Sequence, residues 1–106
     1  MYKIDSNDED LQKAVEQLFE WYDEYLSKDL KKVLEKIRDT KPDNLTDDEG
    51  ETLRNAYNIF EGLKETIGEI TEIMGHDEGE PLQNAYNIFE GLKETIGEIT
   101  ETMAQD

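Results

Sequence analysis

Apolar residues in the second half of the chain recur at intervals of three and four positions. Between residues 48 and 74 the intervals are 3, 4, 3, 4, 3 and 4, a heptad pattern that aligns these side chains along one face of an α-helix. This seam consists of Leu53, Ala56, Phe60, Leu63, Ile67, Ile70 and Met74. The run contains no proline and no strand-like alternation. The pattern therefore predicts a helix over residues 47–74, which begins with a capping box formed by Thr46 and Glu49.

Residues 77–103 repeat residues 48–74 almost unchanged. The two units differ at three of 27 positions, which are the pairs Thr52/Pro81, Arg54/Gln83 and Ile73/Thr102. The second seam is Leu82, Ala85, Phe89, Leu92, Ile96, Ile99 and Met103. We interpret the repeat as a tandem duplication of one amphipathic helix and predict a helix over residues 78–103. Because the connection is short and includes Gly75, we expect the two helices to form an antiparallel hairpin.

An apolar stripe of helical spacing also runs through the N-terminal part of the chain. Its members are Leu11, Val15, Leu18, Tyr22, Leu26, Leu30, Val33 and Ile37. We predict a helix over residues 7–39, which the turn around Pro42 terminates. Ser27 and Asp29 mark where this helix would kink or break, because their side chains compete for backbone hydrogen bonds. The three helices together predict an all-α fold, a three-helix up-down-up bundle forming a single domain over residues 1–106.

Charge narrows the range of partners. The chain has 28 acidic and 11 basic residues, a net charge of −17 and a pI near 4.2. Such a surface repels nucleic acids and anionic membranes, so we expect a basic protein surface as the partner and no direct binding to nucleic acid or lipid. Basic residues concentrate between positions 28 and 41, where we expect them to neutralise the acidic start of the second helix, with a binding patch as the alternative role. Although a hydrophobic fraction of 35% also occurs in disordered chains, the regular apolar spacing favours a folded bundle.

A row of glutamates follows each repeat on the side opposite the seam. The two rows are Glu61, Glu65, Glu69 and Glu72, and Glu90, Glu94, Glu98 and Glu101. Exposed helix faces ordinarily mix both signs of charge, which these rows do not. In charge and size the chain resembles the small acidic inhibitors that phages and mobile elements encode against restriction, CRISPR or transcription machinery. The resemblance implies that the rows occupy a nucleic-acid-binding surface by charge mimicry; the alternatives are a solvated face or an adaptation to high salt.

Two further features admit either a binding or a packing role. Trp21 and Tyr25 lie four residues apart, off the main stripe, and form a candidate aromatic anchor for a partner, with packing at the core edge as the alternative. The mid-helix glycines are Gly62, Gly68, Gly91 and Gly97. Each weakens its helix by about 1 kcal/mol relative to alanine. This cost indicates either close approach of a partner's backbone or an imperfection copied with the repeat.

Patterns that carry catalysis or bind metals are missing from the sequence. His76 is the one histidine, there is no cysteine, and no nucleophile motif or phosphate-binding glycine loop occurs. An EF-hand loop around Gly50 would need an acid where Leu45 stands. We therefore expect a non-enzymatic protein with no cofactor and no metal. Because no secretory leader or membrane-spanning run occurs, we expect it in the cytoplasm, which is the host cytoplasm if the protein is phage-encoded.

Three functions remain open on these grounds. The leading hypothesis is an acidic inhibitor that occupies the basic surface of a nucleic-acid-binding protein. The second is a helical assembly module that forms homo-oligomers through exposed seam residues. The third is an antitoxin- or immunity-type inhibitor whose acidic surface covers the active site of a basic enzyme.

Overall fold

The computed structural model describes residues 1–5, 7–74 and 80–105. Within these ranges the elements are β1 (Tyr2–Lys3), α1 (Glu9–Tyr22), α2 (Lys28–Thr40), β2 (Asn44–Leu45), α3 (Asp47–Met74), α4 (Glu80–Glu101) and β3 (Ala104–Gln105). A 3-10 turn, Asp23–Tyr25, joins α1 to α2. The protein is therefore predominantly helical, as expected, but its described part contains four helices where three were predicted.

The single helix predicted over residues 7–39 is wrong, because this segment forms two antiparallel helices. Leu26 is extended (φ −91°, ψ 134°), and the Ser27 hydroxyl accepts a hydrogen bond from Leu30 N at 3.2 Å, which caps α2. Gln12 Nε2 donates to Ile37 O at 3.4 Å, so the start of α1 lies beside the end of α2. The break lets both halves of the apolar stripe pack on the same short stretch of core. The up-down-up bundle is thus replaced by two helical hairpins, with α1 packed on α4 and α2 on α3.

The helix predicted over residues 47–74 is confirmed with the same bounds as α3. Thr46 Oγ1 accepts a hydrogen bond from Glu49 N at 3.2 Å, and Glu49 Oε1 accepts one from Thr46 N at 2.9 Å, which is the predicted capping box. Helix α4 occupies Glu80–Glu101 of the predicted 78–103. The expected turn around Gly75 and His76 lies outside the described residues.

Helices α3 and α4 pack antiparallel, and a contact made by a residue of one repeat recurs with the equivalent residues exchanged between the two helices. The ring of Tyr57, near the start of α3, lies against Gly97, near the end of α4. Conversely, the ring of Tyr86, near the start of α4, lies against Gly68 in α3. Since Tyr57 corresponds to Tyr86 and Gly68 to Gly97 in the repeat, the interface has an approximate two-fold symmetry.

A small sheet that the all-α prediction missed joins three distant parts of the chain. Its strand order is β2-β1-β3, with Tyr2 paired antiparallel to Leu45 and to Gln105. Strands of two residues are too short to show an alternating pattern in the sequence. The sheet gathers the chain start, the α2–α3 connection and the end of α4 at one end of the molecule, which we call the base. There Tyr2 is buried, and a Cβ at Gly50 would overlap its ring.

The hydrophobic core lies at the base because the two hairpins differ in length. Helices α1 and α2 have 14 and 13 residues, about 20 Å each, whereas α3 has 28 residues and is about 42 Å long. The base half of the α3–α4 hairpin is therefore covered, and its seam residues Leu53 and Ile99 are fully buried. Most of the distal half, residues 61–74 and 80–90, extends beyond α1 and α2, whereas Ile88 and Phe89 still pack against the core.

Candidate functional site

The predicted acidic rows lie on the back of the α3–α4 hairpin, opposite the seam of each helix, and Glu98 and Glu101 also border the groove between α4 and the start of α1. Helical geometry fixes this placement, because each glutamate stands about half a turn away from the seam. Six of the eight are exposed, namely Glu65, Glu69, Glu72, Glu94, Glu98 and Glu101, while Glu61 and Glu90 are half-buried. Since α3 and α4 are antiparallel, the two rows run in opposite directions. The structure therefore brings the two rows together on one surface.

Two lysines that could neutralise the rows lie in the crevice between the helices. Lys64 Nζ lies 5.7 Å from the ring centroid of Tyr86, and Lys93 Nζ lies 5.9 Å from that of Tyr57. Both are cation–π contacts with a tyrosine of the opposite helix. Each ammonium group is thus held over an aromatic face, and the outer positions of both rows remain uniformly negative.

The negative charges of this surface shift the pKa of Tyr57. Its hydrogen bond with Glu61 raises the pKa of the Tyr57 hydroxyl, and partial loss of water and the charges of Glu61 and Glu101 raise it further. Ionisation would place another negative charge among carboxylates, so these neighbours stabilise the neutral phenol. The surface therefore disfavours added negative charge and favours positively charged ligand groups.

A groove of about 700 Å³ separates the start of α1 from the end of α4. Its charged lining residues are Asp8, Asp10, Lys13, Glu98 and Glu101. Four carboxylates surround one ammonium group, so the groove is also negative overall. It continues the acidic surface around the edge of α4.

The basic segment between residues 28 and 41 forms ion pairs within the chain. Lys36 Nζ lies 2.8 Å from Glu49 Oε1, so the predicted neutralisation of the start of α3 is confirmed for this pair. Burial alone would raise the pKa of Glu49, but hydrogen bonds from Lys36 and Thr46 outweigh it, and the pKa lies below its usual range. Arg38 likewise pairs with Asp39 at 2.8 Å, and its hydrogen bond lowers the pKa of that carboxyl.

The candidate aromatic anchor is split between two elements. Trp21 is 59% exposed near the end of α1, and its ring stands edge-on to Tyr22 at 6.3 Å. Tyr25 belongs to the 3-10 turn and packs edge-on against Phe89 at 6.1 Å. Tyr25 therefore contributes to packing at the core edge, whereas Trp21 presents most of its indole ring to solvent.

The assembly hypothesis expected exposed seam residues without locating them, and the structure places an exposed apolar stripe on α3. The exposed large apolar residues of this helix are Ile59, Leu63, Ile70 and Ile73. Their spacing of 4, 7 and 3 positions places them within about 80° of one helix face. The signal was present in the repeat, because two identical helices cannot both be covered by a single short N-terminal hairpin.

The mid-helix glycines have a packing role that the sequence left undecided. A Cβ at Gly68 would lie 3.2 Å from the Tyr86 ring, and one at Gly97 would lie 3.1 Å from the Tyr57 ring. At Gly91 a Cβ would overlap the Tyr22 hydroxyl. Three glycines thus admit tyrosine side chains, while the space around Gly62 holds no described atom within 4 Å of a Cβ apart from its own helix.

The described residues show neither a metal centre nor a membrane-spanning element. No group of three or more histidine, aspartate or glutamate side chains in ranges 1–5, 7–74 and 80–105 is arranged to hold a metal ion. None of the helices in these ranges combines the length and apolarity needed to cross a bilayer. Comparison of the chain with protein-family models, curated proteins and solved structures finds no match.

Proposed function

We propose that the chain is a non-enzymatic inhibitor that occupies the basic, nucleic-acid-binding surface of a partner protein. Its binding surface is the back of the α3–α4 hairpin, where two rows of glutamates run in opposite directions. The proposal gives the sequence repeat a role, since duplication of one helix doubled the acidic row. It places the activity in the cytoplasm, which is that of the host if the protein is phage-encoded.

The observation that carries the proposal is the excess of negative charge on this surface, where Arg54, near the base, lies over the Tyr2 ring at 5.1 Å. Six exposed carboxylates occupy the rows, and Lys64 and Lys93 are turned toward tyrosines of the facing helix. Like charges at four-residue spacing destabilise a helix by roughly a few tenths of a kcal/mol per pair. A partner with lysine and arginine side chains at matching positions relieves this repulsion on binding and gains rapid, electrostatically steered association.

A displacement experiment tests the proposal. Bacterial extract is bound to immobilised duplex DNA at fixed salt, and the chain is then added to the washed resin. A mimic releases particular DNA-binding proteins at concentrations where polyglutamate of equal total charge does not. If the chain releases no more than polyglutamate does, its surface acts only as a polyanion and the proposal fails.

Two other functions use the same molecule differently. The exposed apolar stripe on α3 favours an assembly module as the second candidate, because unpartnered apolar surface on a helix is typical of protein contacts. An antitoxin- or immunity-type inhibitor would use the acidic rows against a basic active site. Identification of the partner separates the two functions. A partner released from DNA indicates nucleic-acid mimicry, whereas a basic enzyme that binds the chain in the absence of DNA indicates an antitoxin- or immunity-type inhibitor.

A further inference from the structure

The apolar stripe on α3 has a counterpart on α4 that is buried. Leu92, Thr95 and Ile99 are buried on α4, the helix against which α1 packs, and the two apolar residues among them are fully buried. Their repeat equivalents Leu63 and Ile70 are 39% and 40% exposed. Because the intervening residues are identical in the two units, α3 presents the same surface that binds α1 on α4, but without a helix on it.

A second observation comes from the glycines at the edge of this surface. Gly91 leaves room for the Tyr22 hydroxyl of α1, which occupies the space where a Cβ would stand. Its repeat equivalent Gly62 has the same backbone and open space at that position, with no described atom outside its helix within 4 Å. The notch that receives a tyrosine on α4 is therefore present and empty on α3.

The charged residues near the stripe indicate which net charge a helix covering it should carry. On α4 the α1 side brings Lys13, but also Asp8 and Asp10, into the groove that contains Glu98 and Glu101, so this edge has an excess of negative charge. The repeat equivalent of Glu98 is Glu69, which is exposed and lies about 85° around α3 from the centre of the stripe. A helix that covers the stripe must therefore place basic residues along this edge.

We propose that the α3 stripe, with the notch at Gly62, is a docking site for an amphipathic helix of a basic partner protein. The helix carries an apolar seam spaced like Leu11, Val15 and Leu18, with a tyrosine near its C-terminal end. It lies antiparallel to α3, as α1 does to α4, with this tyrosine at Gly62 and its basic edge toward Glu69.

A second copy of the chain fits this site less well than a basic partner does. Its own α1 is already packed on its own α4. Pairing of two stripes would also bring together two chains that each carry a net charge of −17, which repel each other.

A labelled peptide probes the site. The peptide comprises residues 8–25 with Glu9→Lys, Asp10→Lys, Glu16→Lys, Gln17→Lys and Glu20→Lys. These changes keep the α1 seam and Tyr22, place lysines at the two positions that line the groove on α4, and make the peptide basic overall. Fluorescence anisotropy with the full chain is expected to show one-to-one binding. The same peptide with Val15→Gln and Leu18→Gln is expected to lose it, because charge alone does not fill the apolar stripe.

Variants of the full chain locate the binding site. Leu63→Gln with Ile70→Gln changes two exposed positions and no charge, and weakens peptide binding by about tenfold or more. Gly62→Gln fills the notch and also weakens binding. The control, Asn58→Gln with Asn87→Gln, alters two exposed residues outside the stripe and leaves the affinity unchanged, and circular dichroism verifies the helical content of each variant.

Three outcomes overturn the proposal. The peptide fails to bind wild type, or it binds the Leu63→Gln/Ile70→Gln variant as tightly, which means that it exchanges with α1 or associates through charge. Alternatively, sedimentation shows a wild-type dimer that this variant dissociates, in which case a second copy covers the stripe.

Discussion

The Phe60 and Phe89 rings stack across the α3–α4 interface with centroids 6.1 Å apart and planes 22° apart, and the two residues occupy the same position of the sequence repeat. Each therefore meets its own equivalent at the centre of the hairpin. On either side of this stack, however, equivalent residues differ in environment. One half of each seam lies at the covered base and the other half in the open distal part. The same repeat sequence is therefore buried in one helix and exposed in the other.

This asymmetry predicts different costs for the same substitution in the two repeats. Leu92 is fully buried and Leu63 is 39% exposed. Leu92→Ala should lower the free energy of unfolding by about 2–5 kcal/mol, because it leaves a cavity in the core. Leu63→Ala should cost about 1 kcal/mol or less. Urea denaturation measures both, and equal losses would show that α1 and α2 do not distinguish the two ends of the hairpin.

Two glycines of α3 should respond to alanine in opposite directions. Gly62→Ala should raise the free energy of unfolding by about 0.5–1 kcal/mol, since it improves helix propensity in open space. Gly50→Ala should lower it, because a Cβ there overlaps the buried ring of Tyr2. Thermal and urea unfolding followed by circular dichroism provide the comparison. A stabilising Gly50→Ala would mean that Tyr2 does not pack on the start of α3.

The contact between Lys36 and Glu49 should make stability depend on pH. The pKa of Glu49 is lowered in the folded chain, so its contribution is present above the pKa of the unfolded chain and is lost as pH falls through the folded value. Glu49→Gln retains an acceptor for Thr46 N but loses the ion pair. It should be less stable than wild type at pH 7, and the difference should shrink below about pH 4.3.

Denaturation curves between pH 7 and pH 3 measure this difference. Glu51→Gln, two positions further along α3 and exposed, provides the control for loss of one negative charge. A Glu49→Gln deficit that persists unchanged at pH 3, or that Glu51→Gln reproduces, contradicts the assignment.

The sequence predicted what repeats at helical spacing and missed what depends on tertiary contact. The heptad seam and the Thr46–Glu49 capping box fixed α3 to the residue, because both are local signals. For the break between α1 and α2, the sequence indicated only that the helix would kink or break near Ser27 and Asp29. The continuous apolar stripe fits one long helix or two short ones, and burial against α3 and α4 decides between them.

The candidate site shows the same division. The glutamate rows followed from helix periodicity, so their placement opposite the seam could be predicted. The withdrawal of Lys64 and Lys93 toward tyrosines could not, since it depends on how the two repeats pack. Exposure of the α3 stripe likewise depends on the lengths of α1 and α2, since the break at residues 23–27 leaves both helices too short to cover the distal half of the hairpin.

The most direct test of the proposed function compares two variants in which four glutamates are neutralised, on the hairpin surface in one and on a different surface in the other. One variant carries Glu65→Gln, Glu69→Gln, Glu94→Gln and Glu98→Gln on the hairpin, and its match carries Glu16→Gln, Glu20→Gln, Glu24→Gln and Glu35→Gln on the α1–α2 side, all at exposed positions. Both lose the same net charge. In displacement of proteins from immobilised duplex DNA, the hairpin variant should lose activity at least about tenfold while the matched variant acts like wild type. Equal activity of the two variants would show that net charge rather than the acidic hairpin surface drives release, and would contradict the proposed function.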